Sequence, residues 1–131
     1  MIIINTKGAA QPIGPYNQAI VNNGLVYTSG QIAIDGNGNS FIGKGLEEEL
    51  KIVFKNLSAI LEAANSNFNQ VIKVSIFIKD MNDFNIINDY YSKFFTENFP
   101  ARETVEVARL PKDASVEISL IASSNHITAT K

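Results

Sequence analysis

Residues 46–78, LEEELKIVFKNLSAILEAANSNFNQVIKVSIFI, decide the fold because the spacing of their apolar side chains changes partway along. From Leu46 to Ala64 the apolar residues recur at helical spacing, with Glu and Lys between them, which predicts an amphipathic helix. The Asn-rich stretch 65–69 ends that helix. Val71 to Ile78 is β-branched and aromatic, which predicts a strand buried on at least one face.

The chain before this stretch is rich in strand and turn signals. Ile2 to Ile4 indicates a short strand, and residues 18–22 and 25–29 are two further β-prone runs. Asn23-Gly24 separates those two runs, and both residues tolerate the positive φ of a type I′ turn. The pattern therefore predicts a β-hairpin here.

The chain after residue 78 predicts a second helix and two more strands. Asp83 is a candidate cap for a helix that ends at Phe99-Pro100 and carries Phe84, Ile87, Tyr91, Phe94 and Phe95 on one side. The strands are expected at Glu103–Ala108 and Ser115–Ala122. The resulting order, β-β-β-α-β-α-β-β, predicts an α+β fold in which both helices pack on one face of a sheet. The other face is then free to be covered by another subunit.

Composition narrows the class of protein. The chain has 131 residues, 45% of them hydrophobic and 18% charged, which fits one folded domain spanning residues 1–131. The formal net charge is −2 without a Lys/Arg cluster, which argues against nucleic-acid binding. The apolar opening at residues 1–5 is too short for a signal peptide or a membrane anchor, so we expect a cytoplasmic protein that does not bind membranes.

Two residue counts limit the possible chemistry. The sequence has no cysteine, so disulfides, thiolate nucleophiles and cysteine-ligated metals are ruled out. The one histidine, His126, lies among Ser, Asn and Thr near the C-terminus and is expected to be a solvated bystander. A Ser-His-Asp triad and a histidine-rich metal site are therefore not expected, and we predict no metal site.

Arg102 and Glu117 are the first candidates for chemistry. Arg102 follows the rigid Phe99-Pro100-Ala101 segment, and its planar guanidinium suits bidentate capture of a carboxylate. The alternative is a surface arginine paired with a nearby acid. Glu117 is flanked by Val116 and Ile118, so it faces solvent, a partner or a site. In a site it can position and activate a water, whereas the alternative is an exposed strand face.

Three weaker candidates follow. Tyr16 lies in a tight Gly-Pro-Tyr turn that presents a hydroxyl donor. Ser29 has no activating histidine beside it, so a hydrogen-bonding role is favoured over nucleophilic attack. The next residue, Gly30, allows a close backbone approach. Asn88 lies one turn after Phe84, where the simpler interpretation is an amide at the edge of the apolar stripe.

Read in order, several motifs resemble the Rid/YjgF family over essentially the whole chain. They are IGPYNQA at 13–19, VYTSGQI at 26–32, Asn56-Leu57, Lys79-Asp80-Met81, PAR at 100–102, VEVARLP at 105–111 and Val116-Glu117-Ile118. The resemblance implies a chorismate-mutase-like fold and a homotrimer with sites in the clefts between subunits. It also implies deamination of 2-iminopropanoate and 2-iminobutanoate without a cofactor.

The resemblance assigns roles residue by residue. It implies that Arg102 binds the substrate carboxylate and that Tyr16, Ser29, Asn88 and Glu117 line the cleft. A cysteine is frequent in the family two residues after the arginine, where this chain has Thr104. Because the contribution of that position is implied to come from the backbone, we expect activity to survive the difference.

Three other functions remain open from the sequence. The same cleft suits a non-catalytic protein that binds small carboxylates or a regulatory module, and only turnover separates these from an enzyme. A ribonuclease or translation inhibitor is a second alternative, disfavoured by the net charge. A chorismate mutase is weaker still, since it rests on fold analogy alone.

Overall fold

The computed structural model describes residues 1–125, which form one mixed six-stranded sheet and two α-helices. The strands are β1 (Ile2–Ile4), β2 (Ala19–Asn22), β3 (Leu25–Thr28), β4 (Val71–Ile78), β5 (Ala101–Glu106) and β6 (Val116–Ser123), and the helices are α1 (Leu46–Ala63) and α2 (Phe84–Tyr91). The predicted element order and α+β fold class are confirmed. The expectation for His126 lies outside the described residues.

The sheet order places the last strand in the centre. Across the sheet the strands run β1-β2-β3-β6-β4-β5, so β6 lies between the N-terminal strands and β4. The pair β4–β5 is parallel, and the other neighbours are antiparallel. As a result, β5 is an edge strand, whereas the strand that carries Glu117 lies in the middle.

The core lies between one face of the sheet and the helices. Helix α1 packs against β3, β6 and α2. Along β6 the side chains of Val116, Ile118, Leu120 and Ala122 are buried, whereas the alternating residues are partly exposed. This alternation confirms the apolar face predicted for the last strand, and it leaves the second face of the sheet without a helix. We call that second face the open face.

Buried polar side chains hold the connecting segments against this core. The Glu49 carboxylate of α1 accepts hydrogen bonds from the Ser115 backbone N–H (3.0 Å), the Ser115 hydroxyl (2.8 Å) and the Gly43 N–H (3.2 Å). Glu49 is 1% exposed. It therefore sets the point at which β6 begins, just before Glu117.

The hairpin prediction is confirmed. Asn22 pairs with Leu25, and the two residues between them have positive φ, 52° at Asn23 and 77° at Gly24. These values are those that a type I′ turn requires. The helix α1 also ends where predicted, since Asn65 adopts φ 54° just after it.

The predicted bounds of β5 were wrong by two residues. The strand was expected at 103–108, but it begins at Ala101 and ends at Glu106. Its parallel partner β4 ends at Ile78, which pairs with Glu106, so no strand remains to pair with residues beyond it. Arg102 consequently lies inside the strand rather than before it.

The second helix is shorter than expected. It ends at Tyr91, where a helix running to Phe99-Pro100 was predicted. Two aromatic stacks hold the residues after it in turns: Phe94 stacks on Phe54 and Phe95 on Tyr91, each at 4.4 Å between ring centres. Asp83 occupies the N-cap position, but its side chain makes no capping hydrogen bond. The helix is thus held by its aromatic face rather than by its cap.

Within residues 1–125, no helix is both long enough and apolar enough to cross a membrane.

Candidate functional site

Glu117 points to the open face of the sheet. It pairs with Phe77 of β4, and its neighbours Val116 and Ile118 are fully buried on the helix side. The Glu117 side chain is itself only partly exposed, and this burial raises the pKa of its carboxyl above the ordinary value for glutamate. A carboxylate whose pKa is raised in this way is a better proton acceptor than a solvated one.

A cavity of about 500 Å³ opens beside this carboxylate. Its walls come from the loops after β1 and β3, the turn before β6, and β6 itself. The lining residues that bear on chemistry are Tyr16, Gln18, Gly30, Gln31, Lys112 and Glu117. The walls also include apolar side chains, among them Ile13, Ile32 and Ile34. A cavity of this size with few polar groups is typical of a small-molecule site.

Gln18 holds the wall that carries Tyr16. The Gln18 carboxamide is 1% exposed; it accepts a hydrogen bond from the Thr6 N–H (2.6 Å) and donates to the Ala10 carbonyl oxygen (2.8 Å). It thereby ties the loop between β1 and β2 to the start of β2. Tyr16 projects from that loop with half of its surface exposed.

Ser29 has a structural partner. Its hydroxyl donates to the Asn17 carbonyl oxygen at 2.6 Å, and its backbone N–H donates to the Gln18 carbonyl oxygen at 2.8 Å. The bonded hydroxyl is occupied with the loop that carries Tyr16. Ser29 is thus tied to the loop that carries Tyr16, and it is not among the residues that line the cavity.

Gly30 is the residue whose importance the sequence shows least clearly. It lies between Ser29 and Gln31, and Gln31 exchanges backbone hydrogen bonds with Ile118, at 2.9 and 3.2 Å. This bridge brings Gly30 against the residue before Ile118, which is Glu117. The missing side chain was the only sequence signal of this close approach.

Arg102 lies on the opposite face of the sheet from Glu117. It pairs with Val74, which is fully buried under the helices, and paired residues on neighbouring strands point to the same face. The guanidinium carbon lies 4.7 Å from the ring centre of Tyr91 and 5.6 Å from that of Phe84. Such contacts between a cation and aromatic rings orient the guanidinium plane.

The contact between Arg102 and Tyr91 also affects the pKa of the Tyr91 phenol. Burial raises the pKa of the Tyr91 phenol, and the charge of Arg102 and its hydrogen bond to the phenol oppose that rise. Arg102 is therefore held by α2 at the edge of the sheet, with part of its side chain exposed.

Thr104 and Asn88 lie near Arg102. Thr104 pairs with Ile76, so its side chain points to the same face as Arg102, one pair further along β5. Its hydroxyl oxygen is buried and has no hydrogen-bond partner among residues 1–125. Asn88 lies four residues after Phe84 and three before Tyr91, and hence on the helix face that carries both rings.

The structure thus separates the predicted residues into two groups. The cavity group is Tyr16, Gly30 and Glu117, and the edge group is Asn88, Arg102 and Thr104. One chain does not bring the groups together, since they lie on opposite faces of the same sheet. The cavity group supplies a proton acceptor, the Glu117 carboxylate. The edge group supplies a cation that can bind a carboxylate, the Arg102 guanidinium.

No group of three or more His, Cys, Asp or Glu side chains within residues 1–125 is arranged to hold a metal ion.

Known proteins are similar to this chain over nearly its whole length. Residues 6–124 match the model of the family described as Endoribonuclease L-PSP. A RutC family protein of Synechocystis is 48% identical over 124 residues, 93% of this chain and 95% of that protein. The human 2-iminobutanoate/2-iminopropanoate deaminase is 40% identical over 126 residues, 96% of this chain and 92% of that protein.

The fold has close structural relatives as well. The crystal structure of E. coli TdcF with bound serine has a TM-score of 0.88 to this chain at 38% identity. The match covers 95% of this chain and all of that one.

Proposed function

The chain belongs to the Rid/YjgF family, and we propose that it hydrolyses 2-imino acids such as 2-iminopropanoate and 2-iminobutanoate to 2-keto acids and ammonia. A relative of 40% identity over nearly its whole length carries the deaminase name. This chain has Tyr16, Arg102 and Glu117 at the positions to which the family resemblance assigns roles in the site.

The observation that best supports a site shared between subunits is the separation of the cavity group from the edge group. Arg102 can meet the Glu117 cavity only if a second copy brings its β5 edge to the first copy's open face. That face exposes apolar side chains, with Ile3 55%, Tyr27 42% and Val105 39% exposed. Covering these side chains with another copy removes them from water, which stabilises the assembly. We therefore propose a homotrimer whose sites lie between subunits, as the family resemblance implies.

Hydrolysis at such a site follows from the chemistry of the two groups. The Arg102 guanidinium binds the substrate carboxylate through two hydrogen bonds and so fixes the neighbouring imine carbon. The backbone of Thr104 supports the same end of the substrate. Glu117 orients a water and accepts its proton as the water oxygen bonds to the imine carbon.

The remaining steps balance without any further reactant. The imine nitrogen gains protons as the tetrahedral carbinolamine forms and then leaves as ammonia. The carbinolamine hydroxyl loses its proton as the C=O bond forms, and the 2-keto acid results. Water supplies every added atom and no electron is transferred, so the proposal includes no cofactor.

Mixing two inactive variants tests both the reaction and the shared site. Arg102→Ala and Glu117→Ala are each expected to lose deaminase activity in a coupled assay that generates 2-iminopropanoate in situ. If the two groups come from different subunits, unfolding and refolding an equal mixture leaves about a quarter of the sites with both groups intact. We expect about a quarter of wild-type activity in the mixture, whereas the separately refolded variants stay inactive.

The outcomes separate the parts of the proposal. An inactive wild-type protein contradicts the deaminase function. Active wild-type protein without complementation contradicts the site between subunits. Light scattering that reports one chain mass, 14.3 kDa, rather than about three contradicts the homotrimer.

A carboxylate-binding protein is the second candidate, because the TdcF relative was crystallised with serine bound. Binding of a keto acid without turnover of the imine would favour it. An RNA-acting protein is suggested by the family description and by the names of similar solved structures, and it is disfavoured by the net charge of −2. Salt-dependent binding of RNA by this protein would favour the RNA-acting function.

A further inference from the structure

The end of the Glu117 side chain occupies the space where a side chain on residue 30 would begin. A Cβ atom built on Gly30 would lie 2.7 Å from Glu117 Cδ and 2.9 Å from Cγ, and closest of all to the carboxylate oxygen Oε2. Real Cβ atoms do not approach other heavy atoms this closely. The carboxyl group therefore rests directly on the Gly30 backbone.

The backbone at residue 30 does not itself require glycine. The glycines with positive φ are Gly24, Gly38, Gly43 and Gly45, and Gly30 is not among them. An alanine fits the φ of residue 30 without strain. The three heavy atoms that a Cβ there would approach most closely all belong to the Glu117 side chain.

The surrounding hydrogen bonds prevent the two residues from moving apart. Gln31 and Ile118 exchange backbone hydrogen bonds immediately beside them, and Ser29 is tied to Gln18. The clash made by a methyl group on residue 30 is thus relieved mainly by rotation of the Glu117 side chain, not by separation of the two backbone segments.

We propose that Gly30 is a positioning residue: its missing side chain creates the space that holds the Glu117 carboxylate in one rotamer facing the cavity. The inference rests on the proposed function for its catalytic meaning, but the geometry stands apart from it. A carboxylate held against backbone is kept partly out of water and at a constant distance from the cavity. Both conditions suit a group that must accept a proton from one particular water.

Gly30→Ala is the direct test. The added methyl should rotate the carboxylate away from the backbone and toward solvent. We expect kcat to fall by about 100-fold, the effect of a displacement of about 1 Å on a reacting group. Affinity for pyruvate, a stable keto-acid probe held by Arg102, should change by no more than about twofold.

A second measurement reports on the carboxylate itself. Titration of the Glu117 side chain by carbon-detected NMR should give a lower pKa in Gly30→Ala than in the wild type, since the displaced group is better solvated. A role limited to folding would not move this pKa. An unchanged pKa, with kcat also unchanged, overturns the inference.

The double variant Gly30→Ala/Glu117→Ala keeps the test decisive if Gly30→Ala folds poorly. With the Glu117 carboxylate removed, the three nearest contacts of the alanine methyl at residue 30 are gone, so the double variant should melt at the temperature of Glu117→Ala alone. A double variant that remains destabilised shows that the backbone demands glycine, and the positioning role fails.

The two proposals can fail separately. If wild-type protein does not hydrolyse imines, the proposed function is wrong, yet the NMR titration and the melting comparison still test the contact. If wild type is active and Gly30→Ala retains full kcat, the function stands and the positioning role does not.

Discussion

Thr104→Val should stabilise the protein, although it alters a residue of the candidate site. The Thr104 hydroxyl oxygen is buried and lacks a hydrogen-bond partner among residues 1–125. Valine has nearly the same shape, replaces the hydroxyl with a methyl group and is favoured in strands. The backbone of β5, through which residue 104 is proposed to support the substrate, keeps its pairing with Ile76.

The size of the effect follows from the unpaired hydroxyl. A buried polar group without a partner costs about 1–3 kcal/mol. Because Thr104 as a whole is only partly buried, we take the lower end, about 1 kcal/mol, in favour of valine. For a chain of this length that corresponds to a rise in melting temperature of about 4 °C.

Thr28→Val is the matched control with the opposite sign. The Thr28 hydroxyl accepts a hydrogen bond from the Leu120 backbone N–H at 2.9 Å. The same substitution there leaves that N–H without its partner and should lower stability by about 1–2 kcal/mol. Urea unfolding of both variants, with deaminase activity measured alongside, gives the comparison.

Two results would refute the reasoning about Thr104. Loss of stability in Thr104→Val means that the hydroxyl has a partner, which a second copy in the assembly can supply. Loss of activity in a stable Thr104→Val protein means that the hydroxyl, and not only the backbone, serves the substrate.

Two further predictions concern the charged residues. Arg102→Lys should keep the charge but lose the planar guanidinium and its contact with Tyr91, so kcat/KM should fall by about 30- to 1,000-fold, equivalent to about 2–4 kcal/mol. Arg109→Lys, at the only other arginine in the sequence, is the control and should retain activity. Near-normal turnover by Arg102→Lys would contradict the proposed binding of the substrate carboxylate by Arg102. Glu117→Gln should abolish most turnover and raise the melting temperature at neutral pH more than at acidic pH. Because the folded-state pKa of Glu117 is raised, its ionisation disfavours folding as pH rises above the ordinary glutamate range, and glutamine removes that cost. Melting curves across pH, with the exposed Glu62→Gln as control, test this; an equal shift at every pH contradicts it.

The elements with a clear period were predictable because local physics determines them. The α1 stripe, the Asn23-Gly24 turn and the alternation along β6 each follow from side chains within one segment. The bounds of β5 were not predictable, since they depend on its pairing with β4, in which each paired residue of β4 meets a residue 28 positions later. Lys73 pairs with Ala101 and Ile78, the last residue of β4, pairs with Glu106. The length of α2 likewise depends on Phe54, a distant ring on which Phe94 stacks.

The candidate site shows where sequence reasoning stopped. The residue types at positions 102 and 117 were sufficient to suggest a carboxylate fork and a proton acceptor. The sequence did not show on which face of the sheet each side chain lies. The strand β5 is an exposed edge strand without an alternation of apolar residues, so its pattern does not indicate which side faces the core. A shift of one residue in register reverses every side chain of a strand, so only the pairing of Arg102 with Val74 settles its side.

That one assignment changes the meaning of the whole site. If Arg102 lay on the open face, it would share that face with Glu117, and a single chain could supply both groups. On the helix face it is held by Phe84 and Tyr91, across the sheet from the cavity. Under the proposed function, a substrate that needs both groups requires two copies of the chain, and the proposed assembly is then a condition of catalysis. Dilution that dissociates the assembly should accordingly abolish turnover while each chain keeps its fold, and activity that persists in the dissociated chain would contradict this view.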